Sequence, residues 1–240
     1  MGRRKRVDGG IGVDHVVDWI FDLDNTLYPA SCNLFAQIDR RMAAFIGRHL
    51  GLGAAEARQL QKSYFRRYGT TLRGLMVEHG IDPVDYLDYT HDIDLDPVPP
   101  SPALDAALTR LEGRKFIFTN ATVRHAEGVV ARLGVGHHFE RVFDIVAADF
   151  RPKPDPASYR AMLDHCGVAP ERAALFEDIA RNLEPAAALG MTTVWIKPHH
   201  EWAGAGLEAD DSHIHHVADD LVAWLRQVAD ARDAAPGRRP

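Results

Sequence analysis

Asp22-Leu23-Asp24-Asn25-Thr26 places two carboxylates one residue apart at the end of the apolar run Trp19-Ile20-Phe21. Like charges that close raise each other's pKa and work against stability, so the pair asks for a cation between them. A carboxylate can also be a covalent nucleophile. Other chemically useful side chains stand at the ends of other apolar runs. Thr119 and Asn120 follow Lys115-Phe116-Ile117-Phe118. Lys153 lies in Arg151-Pro152-Lys153-Pro154-Asp155-Pro156. Glu177 and Asp178 follow Ala173-Ala174-Leu175-Phe176, with Asn182 four residues after Asp178.

Phosphoryl transfer through an aspartyl intermediate uses such a set. Asp22 is the candidate nucleophile toward phosphorus. Asp24 is placed to protonate the leaving alkoxide and then to act as base toward the attacking water. Thr119, Asn120 and neighbouring backbone N–H groups are candidates for binding the non-bridging phosphate oxygens. Lys153 would neutralise charge shared by phosphate and nucleophile. A dianionic phosphate repels an anionic nucleophile, so Mg²⁺ with oxygen ligands is expected between them, with Asp178 completing the carboxylate set.

These residues act together only if one fold edge gathers them. His15–Phe21, Lys115–Thr119, Val142–Ala147, Ala173–Phe176 and Thr192–Ile196 read as short buried strands. Between them lie stretches of helical periodicity ending at Gly113, Gly134, Gly167 and Gly190. Strands alternating with helices predict a Rossmann-like, doubly wound parallel sheet, an α/β core whose ligands bind beyond the C-terminal strand ends. From Ser31 to about residue 92 the pattern is helical throughout. The expected helices end at Gly51, Gly69 and Gly80, the first capped by Ser31, and a fourth opens at Asp82-Pro83. Val217, Leu221, Trp224, Leu225 and Val228 predict a last amphipathic helix. The expected division is a core of residues 15–29 and 96–230, an all-helical cap over 30–95, and disordered tails at 1–14 and 231–240, with hinges near 28–32 and 95–101.

Across 240 residues, 46% hydrophobic and 26% charged content fits a globular chain, and a formal net charge of -6 argues against a nucleic-acid binder. No run is long enough to span a bilayer, so no membrane partner is expected. Cys32 and Cys166 form no CxxC pair, which favours a reducing cytoplasm. The histidines at 137–138, 199–200 and 213–216 (His213, His215 and His216) read as surface residues. Tyr64, Tyr68, Tyr86 and Tyr89 read as helix packing, and Arg73 as a surface residue or a substrate contact.

The segments DLDNT, FTNA, KPDP and FEDIARN resemble, in order, the four motifs of the haloacid dehalogenase-like phosphohydrolases. Longer phrases, FDLDNTLYPASCNLFAQIDRRM, YGTTLRGLM, HGIDP, HDIDL and FEDIARNLEPAAALGM, are similar to the pyrimidine 5′-nucleotidase group. The resemblance implies an Mg²⁺-dependent phosphatase of pyrimidine nucleoside 5′-monophosphates, UMP or CMP, with a mobile cap. It implies metal ligation by the side chains of Asp22 and Asp178 and the backbone carbonyl of Asp24. The chain departs from the family where Glu177-Asp178-Ile179 stands for the common GDS and Asn182 for a common aspartate; Glu177 either compensates or points away. The alternatives are a phosphatase of sugar phosphates or phosphoglycolate, a metal-independent haloacid dehalogenase, and a binding protein on a retired core.

Overall fold

The computed structural model describes residues 12–197 and 211–234. Six strands, β1 (Asp18–Phe21), β2 (Arg114–Phe118), β3 (Arg141–Phe143), β4 (Ala173–Glu177), β5 (Thr192–Ile196) and β6 (His216–Ala218), form one sheet in the order β3-β2-β1-β4-β5-β6. Every recorded pairing is parallel, as the alternation of strands and helices predicts. Chain direction across the sheet reverses at β1, which has β2 on one side and β4 on the other, so the C-terminal end of β1 is the topological switch point. Asp18 pairs with Arg114 in the register and accepts both Arg114 Nε at 2.8 Å and Nη2 at 2.9 Å, pinning the starts of β1 and β2 together.

The period-two alternation of a strand sends Trp19 and Phe21 to one face and Ile20 to the other. The first face packs under α5 (Pro102–Arg110), α6 (Val123–Leu133) and α9 (Leu221–Ala234), where Phe21 and Phe176 stack with centroids 4.5 Å apart. The second packs on α7 (Pro156–Cys166) and α8 (Glu184–Ala188), where the Tyr159 ring meets Phe118 edge-on at 5.0 Å. Burying each such side chain contributes about 1.5–3 kcal/mol, so the sheet is anchored on both faces beneath the site.

Between β1 and α5, the helices α1 (Leu34–Leu50), α2 (Ala54–Tyr68), α3 (Thr71–His79) and α4 (Pro83–His91) pack around a cluster of their own that includes Phe45, Ile46, Leu75, Tyr86 and Leu87. Ile145 and Phe150, from the segment after β3, pack into it and tie it to the sheet.

Several boundaries differ from expectation. Asn33, at φ 58°, precedes α1, and Ser31 lies within a 3-10 turn. β3 stops at Phe143 because Asp144 turns the chain: its carboxylate accepts Val123 N at 3.0 Å and Ala147 N at 2.8 Å. Val217 belongs to the edge strand β6, which sequence reading did not foresee, and not to the last helix. Val13 is buried and its carbonyl accepts from Arg232 at 3.0 Å, so the folded part begins before residue 15. Residues 231–234 continue α9 and are not tail. Residues 1–11 and 235–240 of the tails, and His199-His200, lie outside the described residues.

Candidate active site

Asp22 follows β1 directly, its N–H donating to Phe176 O at 2.9 Å. The turn after it is closed by Asn25 in the left-handed region, φ 64°, which asparagine tolerates better than most residues. This turn brings Thr26 Oγ1 back onto Asp22 Oδ2 at 3.0 Å, while Lys153 Nζ holds Oδ1 at 2.6 Å. Asp22 is thus fixed through both oxygens.

Lys153 is almost fully buried and spends all three ammonium hydrogens on the protein: Asp22 Oδ1, Glu177 Oε1 at 2.8 Å and Phe118 O at 2.9 Å. Burial disfavours its charge, but Asp22 and Glu177 outweigh that and push its pKa up, so it remains an ammonium. The side chain of Asn120 is turned onto the Lys153 backbone, accepting its N–H at 2.8 Å and donating to its carbonyl at 3.3 Å. Thr119 Oγ1 accepts Ala121 N at 2.9 Å, which leaves its hydroxyl hydrogen to donate elsewhere.

Glu177 is committed to structure. Its Oε1 accepts from Lys153 and from Asn182 Nδ2 at 2.7 Å, and its Oε2 from Ile179 N at 2.8 Å. Asp22, Glu177 and Asp178 bring one carboxylate oxygen each within 4.8 Å of one another. Burial, opposed by Lys153 and assisted by Glu177, pushes Asp22 up to about 7. Burial and the charges of Glu177 and Asp22 likewise push Asp178 well up. Three buried carboxylates face one ammonium, and such an excess of negative charge fits a divalent cation with oxygen ligands.

Asp24 behaves differently. Its Oδ1 accepts Tyr28 OH at 2.5 Å and faces His125 Nε2 at 2.9 Å. Burial raises its pKa, but His125 and these hydrogen bonds overcome that and hold it at about 2. His125 is raised: burial opposes its charge, and Asp24 prevails. His91, at the end of α4, sits with its ring centroid 4.9 Å from that of His125; burial and the His125 charge lower it to about 4. Sequence reading missed this pair. The one local signal was His125 in the first turn of a helix capped by Thr122, directly after a strand-end motif.

Asp22, Asp24, Thr119, Asn120, Lys153 and Asp178 therefore all line one cavity of about 720 Å³, which extends from the sheet edge to α1, α2 and α4. Arg73 lines a separate, smaller cavity with Arg151.

The sequence model of the haloacid dehalogenase-like hydrolases matches residues 20–190. The chain belongs to that family. Among curated relatives of this haloacid dehalogenase-like hydrolase, Phosphate metabolism protein 8 of Saccharomyces cerevisiae is 29% identical over 72% of this chain and 59% of its own length. Fructose-1-phosphate phosphatase YqaB of Escherichia coli is 33% identical over 43% of this chain and 55% of its own length. The hydrolase thus spans less than two thirds of either relative. Among solved structures, a phosphatase of the family from Thermococcus onnurineus superposes with a TM-score of 0.58 at 17% identity, covering 89% of this chain and 97% of that one. L-2-haloacid dehalogenase from Xanthobacter autotrophicus does so with a TM-score of 0.55 at 17% identity, covering 92% and 100%. At that identity the likeness establishes the fold and does not choose between the two chemistries.

Proposed function

We propose that this hydrolase is an Mg²⁺-dependent phosphomonoesterase acting through an aspartyl-phosphate on Asp22, with pyrimidine nucleoside 5′-monophosphates as substrates. One observation carries the reading: Asp22, held by Lys153 and Thr26, shares a buried, cation-deficient carboxylate cluster at the floor of a cavity large enough for a nucleotide. The phosphatase relative points the same way, and the nucleotide preference rests on the sequence phrases in residues 20–95. Asp22, Asp178 and the Asp24 carbonyl are the groups that would hold Mg²⁺, which when bound supplies charge neutralisation between phosphate and nucleophile.

Asp22 attacks phosphorus, and the phosphorus–oxygen bond to the leaving group breaks. Asp24, ionised in the free site, passes the alkoxide a proton taken from His125 at 2.9 Å. In the second step Asp24 accepts a proton from the water that attacks the phospho-enzyme, and His125 is recharged. Thr119 and the backbone N–H of Asn120 hold phosphate oxygens. Lys153, with its donors engaged, works through the charge it presents to Asp22. Residues 30–95 serve as a cap that opens for substrate entry. Both cysteines are buried and free, which suits a reducing cytoplasm.

Phosphate release across nucleoside monophosphates and sugar phosphates, with Mg²⁺ or with EDTA, tests the proposal. Mg²⁺-dependent turnover of UMP and CMP above ribose 5-phosphate supports it. Chelator-resistant turnover of a haloacid with no phosphatase activity overturns it in favour of dehalogenation.

A further inference from the structure

On its helical side, formed by α1, α2 and α4, the same cavity contains two buried polar groups that the chemistry above does not use. Gln61 Oε1 and the Tyr86 hydroxyl find no hydrogen-bond partner among the described residues, although Gln61 is 2% and Tyr86 1% exposed and both line the cavity. Buried polar groups are overwhelmingly paired in folded proteins, because leaving one unpaired forfeits its hydration without return. Two such groups in one cavity point to a ligand that completes them.

The neighbours of these groups decide what each can do. Gln61 Nε2 donates to Asp39 Oδ1 at 2.8 Å, with Met42 Sδ at 3.6 Å. Asp39 is itself paired with Lys62 at 2.7 Å and Arg58 at 3.5 Å. Reversing the Gln61 amide would press its oxygen against a carboxylate, so Asp39 fixes the oxygen as the free end, and that oxygen can only accept. Burial and then the charge of Asp39 push Tyr86 ionisation far up, so its hydroxyl stays protonated and is able to donate. Ile38, Leu72 and Leu87 supply apolar lining beside the pair.

We propose that Gln61 and Tyr86 form a recognition subsite for the substrate's leaving group. It accepts a planar edge bearing an N–H donor beside an acceptor, as on a cyclic imide such as uracil. The inference rests on the phosphomonoesterase reading and adds to it that these two residues read an N–H donor on the base edge, the imide proton of uracil or the amino proton of cytosine. Asp39 is a positioning residue, acting through Gln61.

The test is kcat/KM for UMP, N3-methyl-UMP and ribose 5-phosphate with wild type, Tyr86→Phe and Gln61→Met, alongside melting temperatures. Wild type should lose about 10–100-fold on N3-methylation, as expected for one buried hydrogen bond. Gln61→Met should abolish that penalty. Tyr86→Phe should lose about as much on UMP while its ribose 5-phosphate kinetics stay unchanged, and should melt no lower than wild type because it removes an unpaired group. Equal losses on UMP and ribose 5-phosphate, or an N3-methyl penalty that survives Gln61→Met, overturn the subsite. Equal wild-type turnover of all three compounds overturns the subsite and leaves the phosphatase standing. Turnover of none contradicts the phosphatase itself.

Discussion

Replacing Lys153 by Met keeps the length of the side chain and removes its charge. In the native site the ammonium lies 2.6 Å from Asp22 and 2.8 Å from Glu177, with Lys153 only 2% exposed. Taking it away leaves two buried carboxylates without a counter-charge, and breaking a buried ion pair this way costs about 3–5 kcal/mol. For a chain of this size each kcal/mol moves the melting temperature by about 2–4 °C, so Lys153→Met should melt about 6–20 °C lower in EDTA. The deficit has a pH signature. Asp22 is already raised to about 7 with Lys153 present, and without it the folded-state pKa of Asp22 rises further above its unfolded value. The folded state then binds protons more readily than the unfolded chain. The penalty is therefore largest well above pH 7, shrinks as pH falls toward about 7, where wild-type Asp22 takes up its own proton, and is level below that. Thermal melting followed by circular dichroism across that range reads both effects. A melting temperature within about 2 °C of wild type at pH 8 would refute the assignment of Lys153 as the charge that holds Asp22 and Glu177 together.

His125→Gln should expose the opposite sign. His125 is raised above 6.5, so its stabilisation is complete below that value and is lost as pH rises through its folded pKa. Asp24, held at about 2, contributes once pH exceeds the unfolded carboxylate value. The variant should thus be less stable than wild type by about 1.5–3 kcal/mol near pH 5–6 and converge on it toward pH 9 in urea titrations. Mg²⁺ at about 100 times its Kd should stabilise the wild type by about 2.7 kcal/mol, and Asp178→Asn should abolish most of that gain in a melting assay. Gly113→Ala should destabilise by several kcal/mol by chemical denaturation, because φ is +108° and the added Cβ would meet Val17 O at 2.2 Å.

The sheet was legible because its strands are short, largely apolar and bounded by turn chemistry: β2, β4 and β5 deviate from expectation by a residue or less. β6 was not, since His216-Val217-Ala218 is an edge strand with one exposed side and too few residues to show a period. β3 was overestimated because an apolar run cannot reveal that Asp144 will bond backwards to α6. Within the site, the strand-end motifs point to residues that the fold brings to one cavity. Their partners were not legible. His125 reaches Asp24 across 101 positions, and Glu177 proves to be a counter-charge of Lys153 as well as a member of the carboxylate cluster with Asp22 and Asp178. Tyr86 reads as helix packing and nothing local singles out Gln61; only the pairing of Asp39 across α1 and α2 shows which Gln61 atom is left over.

Whether Asp22 bonds to phosphorus can be read directly. A reaction with UMP and Mg²⁺ is quenched in acid during turnover, reduced with borohydride, and residue 22 is identified by peptide mass spectrometry. An acyl phosphate at Asp22 predicts homoserine at that position, absent without substrate. Unmodified aspartate at position 22 while phosphate is being released, or homoserine at another carboxylate, would contradict the account.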